Sequence, residues 1–151
     1  MCIRDSPYPA LVLLANDIGI ESVDSPVSGT LTDSESVTVS ITNFGENDAS
    51  NFDVSFQVDG GAVVTETYTG SVASEETVQH TFSTTVDMST VGTTYVLTAY
   101  TTYDSDEDSE NDSVTVDITH LNPNDIGVSE SPSSDVYTVM VYVPNTETST
   151  V

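Results

Sequence analysis

Positive charge is almost missing from this chain. One Lys or Arg stands against 25 Asp and Glu, a formal net charge of −24 over 151 residues. Such a surface repels phosphate backbones and anionic headgroups, which excludes nucleic acid and acidic lipid as partners. It attracts cations and favours solubility. Cysteine is reduced to Cys2, so no internal disulfide can form. A domain of this length can hold together without one, and the compartment stays open on that ground. Trp is absent, which counts against a sugar-stacking platform. No apolar run approaches the ~18 residues of a membrane span. The longest, residues 10–15, is short even for the core of an export signal, and Arg4 alone would have to supply its basic region. Also lacking are a glycine-rich phosphate loop, a Gly-x-Ser-x-Gly turn and any apolar 3.6-residue period with caps. The first six residues, MCIRDS, have the look of translated adapter sequence. On that reading Cys2 and Arg4 are not native, and residues 1–7 are set aside from the fold.

What the chain does have is a two-residue period. Tyr95, Leu97 and Ala99 alternate with Val96, Thr98 and Tyr100. Past an acidic run from Asp104 to Asp112, Val114, Val116 and Ile118 alternate with Ser113, Thr115 and Asp117. This pattern predicts strand, acidic turn, strand. Five further strands are expected, over residues 17–23, 35–43, 51–59, 62–69 and 75–83. In the third, Phe52, Val54, Phe56 and Val58 share one face. Asp59-Gly60-Gly61 permits positive φ and makes the third and fourth strands a hairpin. The fold class is therefore all-β, an immunoglobulin-like seven-stranded antiparallel sandwich. Val39, Leu97 and Phe56 take the places that the disulfide and its aromatic neighbour hold in antibody domains. Tyr95 stands one residue off the usual spacing of a tyrosine corner, with Gly92 just upstream.

Asn16-Asp17-Ile18-Gly19-Ile20 recurs as Asn124-Asp125-Ile126-Gly127-Val128, and Ser25-Pro26 recurs as Ser131-Pro132. The motif offset, 124 − 16, is 108 residues, too long for a solenoid unit and suited to a tandem array of whole β-domains. Three segments are expected. Residues 1–15 are a non-native or preceding-repeat tail, 16–121 the sandwich, and 122–151 the start of a second, truncated copy.

Together the opening Asn-Asp-Ile-Gly, the run Val39-Ser40-Ile41-Thr42-Asn43-Phe44-Gly45 and the acidic loop ending Asn111-Asp112 resemble the cell-adhesion-related CARDB domains of large secreted surface proteins. The resemblance implies an extracellular β-sandwich repeat in a stalk, adhesin or secreted multidomain enzyme. It brings no catalytic residues.

Asp104, Asp106, Asp108, Asn111 and Asp112 form the candidate metal site, because Ca²⁺ takes six to eight hard oxygen ligands. Ser109 and Thr115 break the helix–loop–helix calcium pattern, so the plain alternative is a solvated hairpin tip. Asn122, Asn124 and Asp125 could hold an ion at the junction of copies. His80 and His120 read as strand residues, with no second histidine or cysteine nearby for zinc. Asn111-Asp112-Ser113 fits a glycosylation sequon. Tyr68, Tyr100 and Tyr103 could instead stack a sugar. The expected function is a non-catalytic structural or adhesive module at the cell surface. Its partners are neighbouring repeats, with a surface glycan or protein as a further ligand. The rival is a carbohydrate-binding accessory domain of a secreted hydrolase.

Overall fold

The computed structural model describes residues 13–123. Cys2, Arg4, the apolar run up to residue 12 and the second Asn-Asp-Ile-Gly motif lie outside the described residues.

Seven strands follow one another without a helix among the described residues: β1 Ile18–Ser25, β2 Glu35–Asn43, β3 Ala49–Val58, β4 Val64–Val72, β5 Thr77–Val86, β6 Thr94–Thr102 and β7 Ser113–Thr119. They form two antiparallel sheets, β1-β2-β5 and β4-β3-β6-β7. β4 joins β3, as the Asp59-Gly60-Gly61 hairpin predicts. Asp59 and Gly60 both have positive φ, and the Gly61 N–H donates to the Val58 carbonyl (2.9 Å).

The apolar faces meet in one core. β2 contributes Val37, Val39 and Ile41; β3 contributes Phe52, Val54 and Phe56; β6 contributes Tyr95, Leu97 and Ala99. Val39, Phe56 and Leu97 are all fully enclosed. Phe56 meets Phe82 of the opposite sheet edge-on, with ring centroids 4.7 Å apart. The Tyr95 hydroxyl accepts from the Thr90 N–H (3.1 Å), so the corner forms despite its irregular spacing.

The outward faces explain the wealth of Thr and Ser. Hydroxyls pair across strands at Thr38–Thr81, Thr42–Thr77, Ser55–Thr65, Thr94–Thr119 and Thr98–Thr115, at 2.8–3.0 Å. Each is a cross-strand contact that needs no apolar surface.

β1 departs from simple alternation. Ile18, Gly19 and Ile20 are all buried, because the acidic loop covers the outer side of Gly19. Further along, Gly29 makes a parallel bridge to His120 just past β7. The first and last strands thus run the same way. The chain enters at one pole and leaves at the other.

Candidate functional site

The proximal pole gathers the three motifs that stood out in the sequence. Asn43 is completely buried, and its amide nitrogen donates to the carbonyls of Asn47 (2.8 Å) and Val72 (2.9 Å). Its amide oxygen accepts from the Gly45 N–H (2.9 Å). This fixes the turn after β2 so that Gly45 lies flat against the incoming chain. A Cβ at Gly45 would come within 2.7 Å of the Asp17 nitrogen and 2.9 Å of the Ala15 carbonyl oxygen. The Asp17 carbonyl accepts from Phe44 and Gly45, while Glu46 and Asn47 donate to the carbonyls of Leu14 and Ala15. Among the described residues, backbone bonds to the domain therefore begin at Leu14.

The acidic loop closes over the same segment from the other sheet. Asp106 accepts from the Ile18 N–H (2.8 Å), and Glu107 from the N–H groups of Ala15 (2.6 Å) and Asn16 (3.2 Å). The Asn111 amide donates to the Asp17 carboxylate (2.7 Å), and the Asn111 carbonyl accepts from Ile20 (3.1 Å). Gly19 makes room for this, since a Cβ there would meet Asn111 at 2.7 Å. The Thr101 hydroxyl donates to the Ile18 carbonyl (2.9 Å). Every residue of Asn-Asp-Ile-Gly thus has a structural role in one latch between the start of the chain and the β6–β7 loop.

The latch concentrates like charge. Loss of solvent is the main cause that raises the Asp112 carboxyl to about 6, followed by the charges of Asp106, Asp17 and Asp108. Asp17 is only 4% exposed, and burial likewise raises its pKa, partly offset by the Asn111 hydrogen bond. Two oxygens in this cluster, Asn111 Oδ1 and Asp112 Oδ1, are buried without a hydrogen-bond partner. Such orphaned acceptors cost stability unless something supplies a donor or a cation.

The expected metal residues divide. Asp106, Asp108, Asn111 and Asp112 are brought together. Asp104 is not: it is exposed and lines a separate shallow groove with Asn51, Asp53, Thr102 and Tyr103, about 240 Å³ in volume. Asp17, absent from the sequence-based set, enters from 94 residues away through Asn111. Only its place in the repeated motif could have flagged it. Among the described residues no group of three His, Cys, Asp or Glu is spaced to hold a metal ion as it stands. Of the junction ligands, Asn122 is described, whereas Asn124 and Asp125 lie outside the described residues.

The three tyrosines do not form one platform. Tyr68 stacks on Phe52 (5.2 Å between centroids), and Tyr103 meets Phe52 edge-on (6.1 Å). Tyr100 pairs with Ser55 and Ser113, on the face opposite Ala99. His120 is buried and bonds through Nδ1 to the Met88 carbonyl (2.9 Å). His80 lies 3.1 Å from Glu66, which also accepts from the N–H and hydroxyl of Ser83 (2.8 and 2.5 Å). These bonds join β5 to β4 at the open side of the sandwich. They hold the Glu66 carboxyl below its ordinary value, Ser83 contributing most. Among the described residues no helix is long and apolar enough to cross a membrane.

Comparison with known proteins agrees with this architecture. Residues 15–117 match the CARDB family model. No curated protein matches. Two structures of a CARDB domain from Pyrococcus furiosus are 18% identical with a TM-score of 0.53. The solution structure matches over 72% of this chain and 99% of its own, and a crystal structure in complex with di-metal ions over 78% and 100%. A domain of a cell-surface protein candidate from Methanosarcina acetivorans is 28% identical with a TM-score of 0.59, over 72% of this chain and 94% of its own. With its two sheets and the matched span running from the start of the latch into β7, this chain belongs to the CARDB family.

Proposed function

We propose that this domain is a non-catalytic spacer of an extracellular or cell-surface protein, holding neighbouring domains at a set distance. One observation carries the reading: the chain enters and leaves at opposite poles of a closed sandwich, so copies in series would extend rather than fold back. The cell-surface assignment of the Methanosarcina acetivorans relative supports the location. An antibody against residues 13–123 should label intact cells of the producing organism, and protease treatment of those cells should remove the label. Labelling only after lysis would sink the surface assignment.

A second reading adds a cation at the latch. It rests on the buried, unpartnered oxygens of Asn111 and Asp112 and on the crowded carboxylates of Asp17 and Asp112. The di-metal complex of the Pyrococcus furiosus domain supports it by analogy. Asp17, Asp106, Asp108, Asn111 and Asp112 would be the ligands and Asp104 would not, and the loop would have to draw inward to complete the set. A ligand held only by the folded state raises the melting midpoint. Calcium at millimolar concentration should therefore raise it by several degrees more than magnesium does, and Asp112→Asn should abolish the difference. Equal shifts with both ions would mean general screening of the acidic surface.

The carbohydrate reading keeps only Tyr100 and the groove beside Tyr103. Retention on a glycan panel, lost in Tyr100→Ala, is what it requires.

A further inference from the structure

The two poles carry complementary anchors for the chain, and the repeat offset brings those anchors together. At the distal pole Leu121 is tied to the domain, its N–H donating to the Gly29 carbonyl (2.8 Å). At the proximal pole the first backbone tether among the described residues is Leu14, whose carbonyl accepts from Glu46 (3.0 Å). The Asn-Asp-Ile-Gly motif repeats at an offset of 124 − 16 = 108 residues. In that register Leu14 corresponds to Asn122. Leu121, tied to one copy, is thus followed directly by a residue in the register of Leu14, which is tied to the next.

We infer that successive copies of this domain adjoin with no free linker residue and dock pole to pole, the partner surface being a second copy of the same fold. This rests on the spacer reading and on the repeat being a second copy. Leu121 itself corresponds to Leu13, so one leucine serves both poles. Leu13 is 60% exposed and Leu121 51%. Val27 and Val91 are likewise exposed and lie within two residues of Gly29 and Gly92, which bond to the strand end around His120. Phe44, exposed beside Gly45, is the matching apolar residue at the proximal pole. A preceding copy would cover Phe44 with Val27 and Val91, with the shared leucine between them. Pro123 stands in the register of Ala15. It lacks the N–H that Ala15 gives to Glu107, and its fixed φ stiffens the junction. The acceptor role at Asn122 and Pro123 needs only backbone carbonyls, which every residue supplies.

The test joins two copies with native residues only, residues 14–123 followed directly by residues 16–121. The CARDB relatives were solved as single domains, so each unit folds alone. Residual dipolar couplings should fit one alignment tensor for both copies, and small-angle scattering should give an elongated particle. Inserting Gly-Ser-Gly-Ser between Leu121 and Asn122 should yield two independent tensors. Leu121→Asp should loosen the coupling while each copy keeps its own chemical-shift dispersion. Independent tensors without the insertion would overturn the inference and leave the spacer reading standing. One tensor that survives the insertion would also overturn it, since contact would then not depend on the missing linker. A rigid pair that binds a glycan would overturn the spacer reading alone.

Discussion

Glu66 and Asp112 each sit where one sheet hands over to the other, but in different company. On the β4–β5 side, Glu66 receives the N–H and hydroxyl of Ser83 and faces His80, and no other carboxylate contributes to its shift. On the β1–β7 side, Asp112 is half-buried near the charges of Asp17, Asp106 and Asp108, with one enclosed oxygen unpartnered. The same functional group therefore closes one edge by gaining donors and strains the other by losing solvent. Protons act on the two in opposite senses. Glu66, with its pKa lowered, adds stability that is present above its unfolded value and lost as pH falls through the folded one. Asp112, raised to about 6, adds stability that is full below about 4 and lost as pH rises through 6.

Breaking the latch sterically should have the largest effect. Gly45→Ala drives a Cβ into the backbone of Asp17 and Ala15. It should cost about 2–3 kcal/mol and lower the melting midpoint by roughly 10 °C, measured by calorimetry. Removing the crowded charge should work the other way. Asp112→Asn should stabilise the domain by on the order of 1–2 kcal/mol at pH 7.5, with no gain at pH 4. A gain of equal size at both values would show that packing, not ionisation, is responsible. The smallest effect is expected on the other edge. Glu66→Gln should cost about 1 kcal/mol at pH 7 and progressively less towards pH 3, followed by urea titration across pH. If Glu66→Gln and Asp112→Asn shift stability in the same direction at pH 7, the contrast between the edges fails.

The fold was legible because a period of two reports local geometry, and each strand carries its own copy of that report. Strand ends differ from expectation by up to three residues where turns intervene. β4, for instance, reaches Val72, because Ala49 and Ser50 of β3 pair with Val72 and Ser71 and the Asn43 amide, far away in sequence, donates to the Val72 carbonyl. The corner at Tyr95 was legible in kind, and its off-by-one spacing is absorbed by the turn around Gly92, which has φ 76°. The latch was legible only in part. Its three motifs could be seen as recurring words, but nothing local shows that Asp17 and Asn111 touch, or that Glu107 tethers Ala15. Alternating acidic residues look alike on a string. Which of them turn inward depends on the strand that arrives from the far end of the chain, and so Asp104 could not be separated from Asp106 beforehand.

The shared direction of the first and last strands has a mechanical corollary. A pull on the two ends of the domain draws β1 and β7 past each other lengthwise. The Ile20–Asn111, Gly29–Thr119 and Leu121–Gly29 bonds lie between those segments and would be sheared together, instead of opening one after another like a zip. A domain built this way resists tension best along the line that joins its two ends.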